Sequence, residues 1–309
     1  MAAVAPGPLR GLVVLLLAAV PLFTASIHNL SLPSLEDAFY AREAVEMSRA
    51  GRVFTVTWNG EPTHQHPPLQ LWLVGQAFAL FGENDLAARL PTVLMALGTM
   101  AVTYRIGVLT VGGPAAVGGV ALLLATPLFG TYARRVMMEV PLTFWTATTV
   151  LLFLEGLRRP WCHIALAVPL GAAMLTKSVL GLMPLLALVG AAAGVEDRAA
   201  FRRPGIWVGV LLGLAIGASW PLHQFLTQGP GAVSSHFLGH VLRRSTRSFD
   251  VLRAVTDYAV ILVKFYQPIV IPGLIGIWVL LRKGGAARER GAILAAWIVL
   301  PVVLYSLSS

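Results

Sequence analysis

The chain has 309 residues, of which 57% are hydrophobic and 12% are charged, and its mean hydropathy is +0.76. A soluble globular domain carries about 25% charged residues, so this composition predicts an integral membrane protein. The net charge of +9 comes mainly from basic residues in short connections between apolar blocks. No basic stripe with interleaved aromatic residues is present, so we expect no nucleic-acid partner. The single cysteine, Cys162, excludes an intrachain disulfide and a cysteine-based metal cluster.

Nine segments of the chain are apolar enough and long enough to cross a bilayer, which takes about 20 residues. They are 9–27, 89–109, 114–131, 141–157, 162–176, 179–194, 205–221, 259–281 and 291–307. We therefore predict an all-α polytopic membrane protein that forms one transmembrane domain over residues 1–309. The first apolar run is too long for the core of a signal peptide, so we expect it to remain as the first span.

Basic connections predict which side of the membrane each loop occupies. The strongest are Arg158 with Arg159, "EDRAAFRRPG" and "RKGGAARER", and all three are expected in the cytoplasm. With the N-terminus inside, they share that side only if 67–81 lies in the interface as an amphipathic or re-entrant helix. A tight hairpin would permit the other parity. The first orientation places two long loops outside: 28–81, which includes the interfacial helix, and 222–258.

The first outer loop contains two adjacent acids, Glu36 and Asp37, after Ser34 in "LPSLEDAFYAREAVEM". Tyr40 and Met47 follow at helical spacing and give an apolar face. Acidic residues favour the first turn of a helix, so capping is the plainer interpretation. The alternative is a carboxylate held at the membrane surface as a general base or a metal ligand.

A polar stretch, "NGEPTHQHPPLQLWL", comes directly before the short apolar segment of the same loop. His64 and His66 form a His-x-His pair with Glu61 nearby, but two histidines do not make a metal site, so the metal signal is weak. Pro67 and Pro68 favour the start of a helix. We expect His66 to be the N-cap of that helix.

Two further ionisable clusters lie at the ends of predicted spans. Arg134, Arg135 and Glu139 occur in "YARRVMMEVPLTFW", where Glu139 stands close to a predicted helix start. Lys177, in "AAMLTKSVLGLMP", falls in a predicted turn between two apolar runs. Glu139 could serve the helix terminus or a functional site, since ionisable residues at membrane depth are usually functional. Lys177 either extends to the interface or binds an anion.

The second outer loop contains "HFLGHVLRRSTRSF". His236 and His240 are four residues apart and would share one helix face, but without a helical glutamate nearby this is a weak metal signal. Arg243, on the next turn, favours an anion site instead.

Taken together, these motifs resemble the GT-C glycosyltransferases. The most similar group is the dolichyl-phosphate-mannose protein mannosyltransferases with the bacterial lipid A aminoarabinose transferases. The resemblance rests on "EDAFYAREAVEMSRAGR", "NGEPTHQHPPLQLWL", "ARRVMMEVPLTFW", "LTKSVLGLMP" and "HFLGHVLRRS". These motifs occur in the family's order and cover nearly the whole chain. Each motif is loose alone, and the ordered set is specific.

The resemblance implies a membrane glycosyltransferase that takes a sugar from a polyprenyl-phosphate donor on the outer face of the membrane. It implies catalytic acids and a group of donor-phosphate ligands. The acids are Glu36, Asp37 and Glu139. The phosphate ligands are His66, Lys177, Arg243, His240 and Arg134.

Three positions depart from the family pattern. Relatives carry Asp-Glu where this chain has Glu36-Asp37, so the catalytic member of the pair is left open. His66 stands where the aminoarabinose branch has lysine and the protein mannosyltransferases have histidine. Ser178 replaces the glycine that follows the lysine of the Leu-Thr-Lys-Gly block.

The expected partners are membrane lipids, the lipid-linked sugar and a lipid, protein or glycan acceptor. The cofactor is left open, with a divalent metal ion as one choice. A bacterial inner membrane is the expected location. A transporter or flippase is the rival class, since such proteins also bury ionisable residues, but the internal repeats typical of that class are not apparent. A shortened, non-catalytic relative is the third alternative, because family members continue into further spans.

Overall fold

The computed structural model describes residues 6–25, 34–194, 201–236, 256, 260, 264 and 270–307. The first half of the chain forms seven of the helices. They are α1 (Pro6–Thr24), α2 (Leu35–Arg49), α3 (Leu69–Phe81), α4 (Asp85–Thr110), α5 (Gly113–Ala125), α6 (Pro127–Ala133) and α7 (Glu139–Gly156). The predicted all-α architecture is confirmed for this part.

The second half of the chain continues in the same way. Its helices are α8 (Trp161–Ala165), α9 (Ala167–Lys177), a 3-10 helix (Ser178–Leu182), α10 (Met183–Gly194), α11 (Pro204–Gln228), α12 (Pro230–Ser234), α13 (Val270–Arg282) and α14 (Gly285–Leu307). The turn predicted at Lys177 is confirmed: Lys177 ends α9, and Ser178 takes φ and ψ values of 49° and −122°. The 3-10 helix then packs back on α9, where a Cβ atom on Gly181 would lie 2.3 Å from Cα of Met174.

Four helical segments in the described part are long and apolar enough to cross a membrane. They are Gly7–Thr24, Asp85–Thr110, Trp161–Leu186 and Pro204–Gln228. A fifth is formed if α5 and α6 are counted together, although they meet at an angle of 69°. The segment predicted as one span over 114–131 is therefore bent, at a point where Pro127 starts a new helix. These segments are those of an integral membrane protein.

A two-stranded hairpin precedes α3 in the chain. Strands β1 (Thr57–Trp58) and β2 (Glu61–Pro62) pair in antiparallel register, with Thr57 opposite Pro62. Asn59 and Gly60 form the turn with φ values of 53° and 82°, as the Asn-Gly pair of a two-residue hairpin requires. Their backbone N–H groups donate to the Glu46 carboxylate at 3.0 and 3.1 Å. These bonds hold the hairpin against α2.

The helix after the double proline begins two residues later than predicted. Its N-cap is Pro68 and its first residue is Leu69, so His66 is not the N-cap. Because a residue before proline is driven out of the helical region, Pro67 cannot begin the helix. The resulting helix, α3, packs against α2, where the Ser48 hydroxyl donates to the Gly75 carbonyl at 3.2 Å.

Helix α11 packs through small residues against α8, which contains His163, and against α9, which contains Leu170 and Met174. A Cβ atom on Gly209 would lie 2.0 Å from the His163 carbonyl oxygen, and one on Gly217 would lie 2.4 Å from Sδ of Met174. Gly213 repeats this approach against Leu170. Glycine at every fourth position lets helices approach closely, which is how many membrane helices associate.

Candidate active site

The site is built around Asp37, which lies in the first turn of α2 and is completely buried. Nε and Nη2 of Arg135 donate to Oδ2 of Asp37 at 2.9 and 2.8 Å. The Val136 N–H donates to Oδ1 at 2.7 Å, and the Ser34 hydroxyl donates to Oδ2 at 2.7 Å. Burial lowers the pKa of Arg135, but the hydrogen bonds and charge of Asp37 outweigh it and raise that pKa. This carboxylate therefore ties α2 to the α6–α7 connection.

The neighbouring acid has a different environment. Glu36 is exposed, and its charge is the smallest of the contributions that raise the pKa of Arg135. The predicted helix start is confirmed, since Ser34 is the N-cap and its hydroxyl accepts from the Asp37 N–H at 3.3 Å. The structure thus separates the acid pair into one anchored carboxylate and one that solvent reaches.

A second ion pair forms at the other end of the α6–α7 connection. Nζ of Lys177 lies 2.6 Å from Oε1 of Glu139, and the two side chains are 31% and 38% exposed. Oε2 of Glu139 is buried and has no hydrogen-bond partner among the described residues. The pair joins the first residue of α7 to the last residue of α9. Arg134 is half-exposed next to Arg135 at the end of α6.

His236 holds the segment that follows Lys177. Its Nδ1 lies 2.5 Å from the His64 carbonyl oxygen, and its Nε2 lies 2.9 Å from Oγ of Ser178. A carbonyl only accepts, so Nδ1 carries the proton and the Ser178 hydroxyl donates to Nε2 of the neutral ring. Burial lowers the pKa of His236 and favours that neutral form. Ser178 has a φ of 49°, in the region that favours glycine.

His66 pairs with an acid that was not predicted to be part of the site. Nδ1 of His66 lies 3.2 Å from Oε2 of Glu43, whose side chain is completely buried. Burial raises the pKa of Glu43, and the bond to His66 works in the opposite direction. The rings of Phe39 and Tyr40 contact the His66 ring edge to face, with centroids 5.9 and 4.8 Å apart.

The predicted metal candidates have other partners. Nδ1 of His64 lies 2.8 Å from Oε1 of Gln224, and His66 bonds Glu43 instead. Across the described residues, no group of three His, Cys, Asp or Glu side chains could hold a metal ion. The two histidine rings therefore contact different partners in this structure. His240 and Arg243 lie outside the described residues, so their predicted roles stay predictions.

An open cleft of about 530 Å³ lies beside the hairpin. Its walls combine aromatic, carboxylate, imidazole and amide groups. The lining residues are Phe39, Trp58, Glu61, Pro62, Thr63, His64, Gln65 and Ser235. The Phe39 and Trp58 rings stack with their centroids 4.1 Å apart. The cleft therefore adjoins the segment that carries His66.

Glu43 was not among the predicted site residues, and Arg135 and His236 were named only as members of clusters, without the partners that they have here. Glu43 had a detectable signal, because it falls between Tyr40 and Met47 on the apolar face of α2. A charged residue on such a face needs a partner, and its burial follows. Arg135 and His236 find their partners through tertiary contacts that spacing in the sequence does not reveal.

The fold is that of a known class of helical membrane proteins. ArnT from Cupriavidus metallidurans superposes with a TM-score of 0.81 in its apo state and 0.77 when bound to undecaprenyl phosphate, each at 24% identity. These matches cover 97% and 96% of this chain and 55% of ArnT. The archaeal oligosaccharyltransferase AglB from Archaeoglobus fulgidus, in complex with an inhibitory peptide and a dolichol-phosphate, matches with a TM-score of 0.64 at 14% identity. It aligns over 98% of this chain and 48% of AglB.

The family follows from the sequence comparison. Residues 65–222, slightly more than half of the chain, match the family described as dolichyl-phosphate-mannose-protein mannosyltransferase, and the chain belongs to that family. The resemblance to GT-C glycosyltransferases is thereby confirmed.

Two uncharacterized proteins of Aquifex aeolicus (strain VF5) are also similar. One is 26% identical over 220 residues, and the other is 27% identical over 291 residues. The matches cover 68% and 90% of this chain, but 44% and 63% of the relatives' own length.

Proposed function

We propose that this chain is a membrane glycosyltransferase that moves a sugar from a polyprenyl-phosphate donor to an acceptor on the outer face of the membrane. One observation carries the proposal. Two ion pairs, Asp37–Arg135 and Glu139–Lys177, meet at the α6–α7 connection from distant parts of the sequence. Acids and cations held side by side at the edge of a membrane fold suit a reaction that activates a hydroxyl and releases a phosphate.

The relatives support the identity of the donor. ArnT from Cupriavidus metallidurans was solved with undecaprenyl phosphate and AglB with a dolichol-phosphate, and both share this fold. An isoprenoid chain is apolar, so it would lie between transmembrane helices while its phosphate reaches the polar edge. The donor class we propose is therefore a polyprenyl-phosphate sugar. The acceptor would be a lipid, a protein or a glycan.

The reaction moves one sugar and one proton. The acceptor hydroxyl attacks the anomeric carbon, a new bond forms from that carbon to the acceptor oxygen, and the bond from the anomeric carbon to the phosphate oxygen breaks. The polyprenyl phosphate leaves with the electron pair, and the acceptor proton passes to a carboxylate. We assign that carboxylate to Glu36, because solvent reaches it whereas Asp37 already accepts from Arg135 and Val136.

The leaving phosphate needs cations. Lys177 stands beside Glu139, which would hold its ammonium group in place and orient the acceptor. Arg134 and His66 are further candidates on the described part of the site, and Arg243 and His240 extend the set in the second outer loop. Arginine suits bidentate phosphate contacts, while lysine acts as a compact charge.

The proposed topology has about nine spans, with α2, the hairpin and α3 on the outer face of a bacterial inner membrane. The topology can be tested by labelling introduced cysteines. The chain's single cysteine, Cys162, is buried and should therefore give little background labelling. A cysteine at the exposed position of Glu61 should react in intact cells with a membrane-impermeable maleimide. The matched control, a cysteine at the exposed position of Arg159, should react only after the cells are opened. Labelling of both from the same side would contradict the topology.

The activity itself is tested in membranes that contain the chain. We expect label to pass from radiolabelled polyprenyl-phosphate mannose or polyprenyl-phosphate aminoarabinose to an acceptor fraction, and we expect Lys177→Ala to reduce transfer by roughly 10²-fold or more. The control is Lys283→Ala, an exposed lysine at the end of α13. If neither donor, nor other polyprenyl-phosphate sugars, gave transfer above membranes without the chain, the proposed function would be wrong.

A further inference from the structure

The cleft beside the hairpin has an aromatic wall with no role in the chemistry assigned above. Trp58, in β1, and Phe39, in α2, both line it, and their rings stack with centroids 4.1 Å apart and an angle of 23° between the planes. The adjoining turn is held by the Glu46 carboxylate, which accepts from the N–H groups of Asn59 and Gly60. The indole ring is therefore fixed before a ligand arrives, which lowers the entropy cost of binding.

A carboxylate stands next to this aromatic wall. Trp58 and Glu61 are directly opposite each other in the antiparallel hairpin, and the side chains of such residues share one face with Cβ atoms about 4.5–5.5 Å apart. Glu61 is exposed, and its carboxylate has no hydrogen-bond or ion-pair partner among the described residues. Its two oxygens can therefore accept hydrogen bonds from a ligand that lies against the indole ring.

Uncharged polar groups complete the walls of the cleft. The Gln65 side-chain amide carries donors and an acceptor, and the hydroxyls of Thr63 and Ser235 can donate or accept. The described residues that line the cleft include one carboxylate, Glu61, and neither lysine nor arginine. Such a lining repels a phosphate or another anion, whereas it suits a neutral ligand that carries several hydroxyl groups.

A saccharide is the ligand class that combines these requirements. Its hydroxyls donate and accept hydrogen bonds, and the C–H groups on a face of the sugar ring are apolar and slightly positive. The face of an aromatic ring is the negative side of its quadrupole, so these C–H groups pack well against it. The cleft volume of about 530 Å³ also lies within the range of roughly 300–1,000 Å³ that is usual for small-molecule sites.

We propose that this cleft binds a neutral saccharide and is the acceptor subsite, so that the acceptor of the transfer is a glycan. This inference rests on the proposed function, because it names the acceptor of that reaction. Trp58 and Phe39 form the platform for the sugar ring, and Glu61 and Gln65 bond its hydroxyls.

The position of the cleft suits an acceptor subsite. Phe39 follows Glu36 by three positions in α2, and residues with this spacing are neighbours on the helix surface, with Cβ atoms about 5–6 Å apart. A saccharide against the aromatic wall therefore lies next to the carboxylate that we assign as the base. One of its hydroxyl oxygens attacks the anomeric carbon of the donor, the hydroxyl proton passes to Glu36, and the polyprenyl phosphate leaves with the electron pair.

Titration of the purified chain in lipid nanodiscs tests saccharide binding without any transfer reaction. The probes are the neutral oligosaccharides mannotriose, maltotriose and chitotriose, observed by saturation-transfer NMR of their C–H protons. At least one probe should bind the wild type, and Trp58→Ala should weaken its binding by about tenfold or more, because the platform is lost. The matched control is Trp161→Ala, which removes an exposed tryptophan at the start of α8 and should bind like the wild type.

Two further variants keep the test decisive if Trp58→Ala disturbs the hairpin. Trp58→Phe retains an aromatic face, so it should keep most of the binding. Gln65→Ala removes an exposed amide and should weaken binding by about threefold, as expected for the loss of one hydrogen bond. If the wild type bound none of the probes, or if Trp58→Ala and Gln65→Ala both bound like the wild type, the inference would be overturned. Binding of an extended peptide in the cleft in place of the probes would overturn it as well.

The role as acceptor is tested by adding the bound oligosaccharide to the transfer assay with the radiolabelled donor. Label should pass to the oligosaccharide in membranes with the wild type and be strongly reduced with Trp58→Ala. Transfer to other acceptors, with the bound oligosaccharide left unlabelled, would overturn the acceptor role while leaving the proposed function intact. Saccharide binding without transfer from any donor to any acceptor would instead show that the proposed function is wrong.

Discussion

The layer of α2 and α3 and the interface of α11 with α8 and α9 are both tightly packed, but different forces hold them. In the first, buried Asp37 and Glu43 find Arg135 and His66 from other parts of the chain. In the second, glycines allow the helix backbones to approach closely. Small-residue packing is the ordinary way for membrane helices to associate.

The difference indicates what each region is for. Buried ion pairs are rarely a net gain in stability over apolar packing, because each charge must be removed from water. A chain that needed only a stable bundle could repeat the glycine interface throughout. The buried charges of α2 are therefore best explained by the site that they organise, and the two regions should respond differently to substitution.

The largest effect is expected from Arg135→Met. Asp37 would then stay completely buried without its counter-ion, which typically costs about 3–5 kcal/mol. The thermal unfolding midpoint in detergent should fall sharply. Arg49→Met removes an arginine from the exposed pair with Glu83, and its midpoint should stay close to the wild type. Equal unfolding midpoints for both variants would show that the Asp37–Arg135 ion pair does not stabilise the fold.

A smaller loss is expected at the glycine interface. Gly209→Ala places a Cβ atom 2.0 Å from the His163 carbonyl oxygen, and such overpacking costs about 1–3 kcal/mol. Gly119→Ala is the matched control, since nothing lies within 4 Å of its Cβ position. Its midpoint should equal or slightly exceed that of the wild type, because alanine favours helices. If Gly209→Ala unfolded no earlier than Gly119→Ala, the close packing described for α11 would be wrong.

The stability of the polar region should also depend on pH, unlike that of the glycine interface. The pKa of His236 is lowered by burial, so its contribution to stability is present above the ordinary value of 6.5 and is lost as the pH falls below it. Glu43 works in the opposite direction: its raised pKa means that stability is lost as the pH rises past 4.5. His64 and His66 also face His236.

The His236 contribution can be isolated by difference. Unfolding midpoints measured from about pH 7.5 to about pH 5.5 should fall more steeply for the wild type than for His236→Gln. The comparison cancels Glu43, His64 and His66, which both proteins retain. Parallel curves would mean that the protonation of His236 does not affect the stability of the protein in this pH range.

The smallest effect is expected at Ser178. Glycine tolerates its φ of 49° but loses the hydroxyl that bonds His236, so the two consequences of Ser178→Gly nearly cancel. Ser178→Ala keeps the strained backbone and loses the hydrogen bond. Its free energy of unfolding should therefore be lower than that of the Ser178→Gly variant by about 1 kcal/mol. Paired thermal unfolding curves check this order. An alanine variant as stable as the glycine variant would contradict it.

Local features of the site could be predicted from the sequence. The start of α2 follows from Ser34 and the acids after it, since capping involves residues three positions apart. The family resemblance also identified Glu139 and Lys177 as candidate site residues within their motifs. Sequence periodicity does not reveal the ion-pair partner of each charged residue, because the partners are far apart in the chain. Asp37 and Arg135 are 98 residues apart, and Lys177 and Glu139 are 38 apart. Only the packing of α2, α7 and α9 brings them together.

In two places a local pattern did not determine the structure, because neighbouring groups intervene. The double proline predicted His66 as the N-cap of a helix, but Pro68 restricts Pro67, so the helix begins at Leu69. The His-x-His pair was a weak metal signal, and in the structure the two rings contact different partners, Gln224 and Glu43. In each instance a group outside the motif decided the outcome.

We propose that the two adjacent acids have separate roles, with Glu36 taking the acceptor proton and Asp37 anchoring Arg135. The most direct measurement compares Glu36→Gln and Asp37→Asn for transfer from a radiolabelled polyprenyl-phosphate sugar, alongside their unfolding midpoints. Glu36→Gln should lose transfer by roughly 10²-fold or more while keeping the wild-type midpoint. Asp37→Asn should lower the midpoint. Full transfer by a folded Glu36→Gln protein would contradict the account.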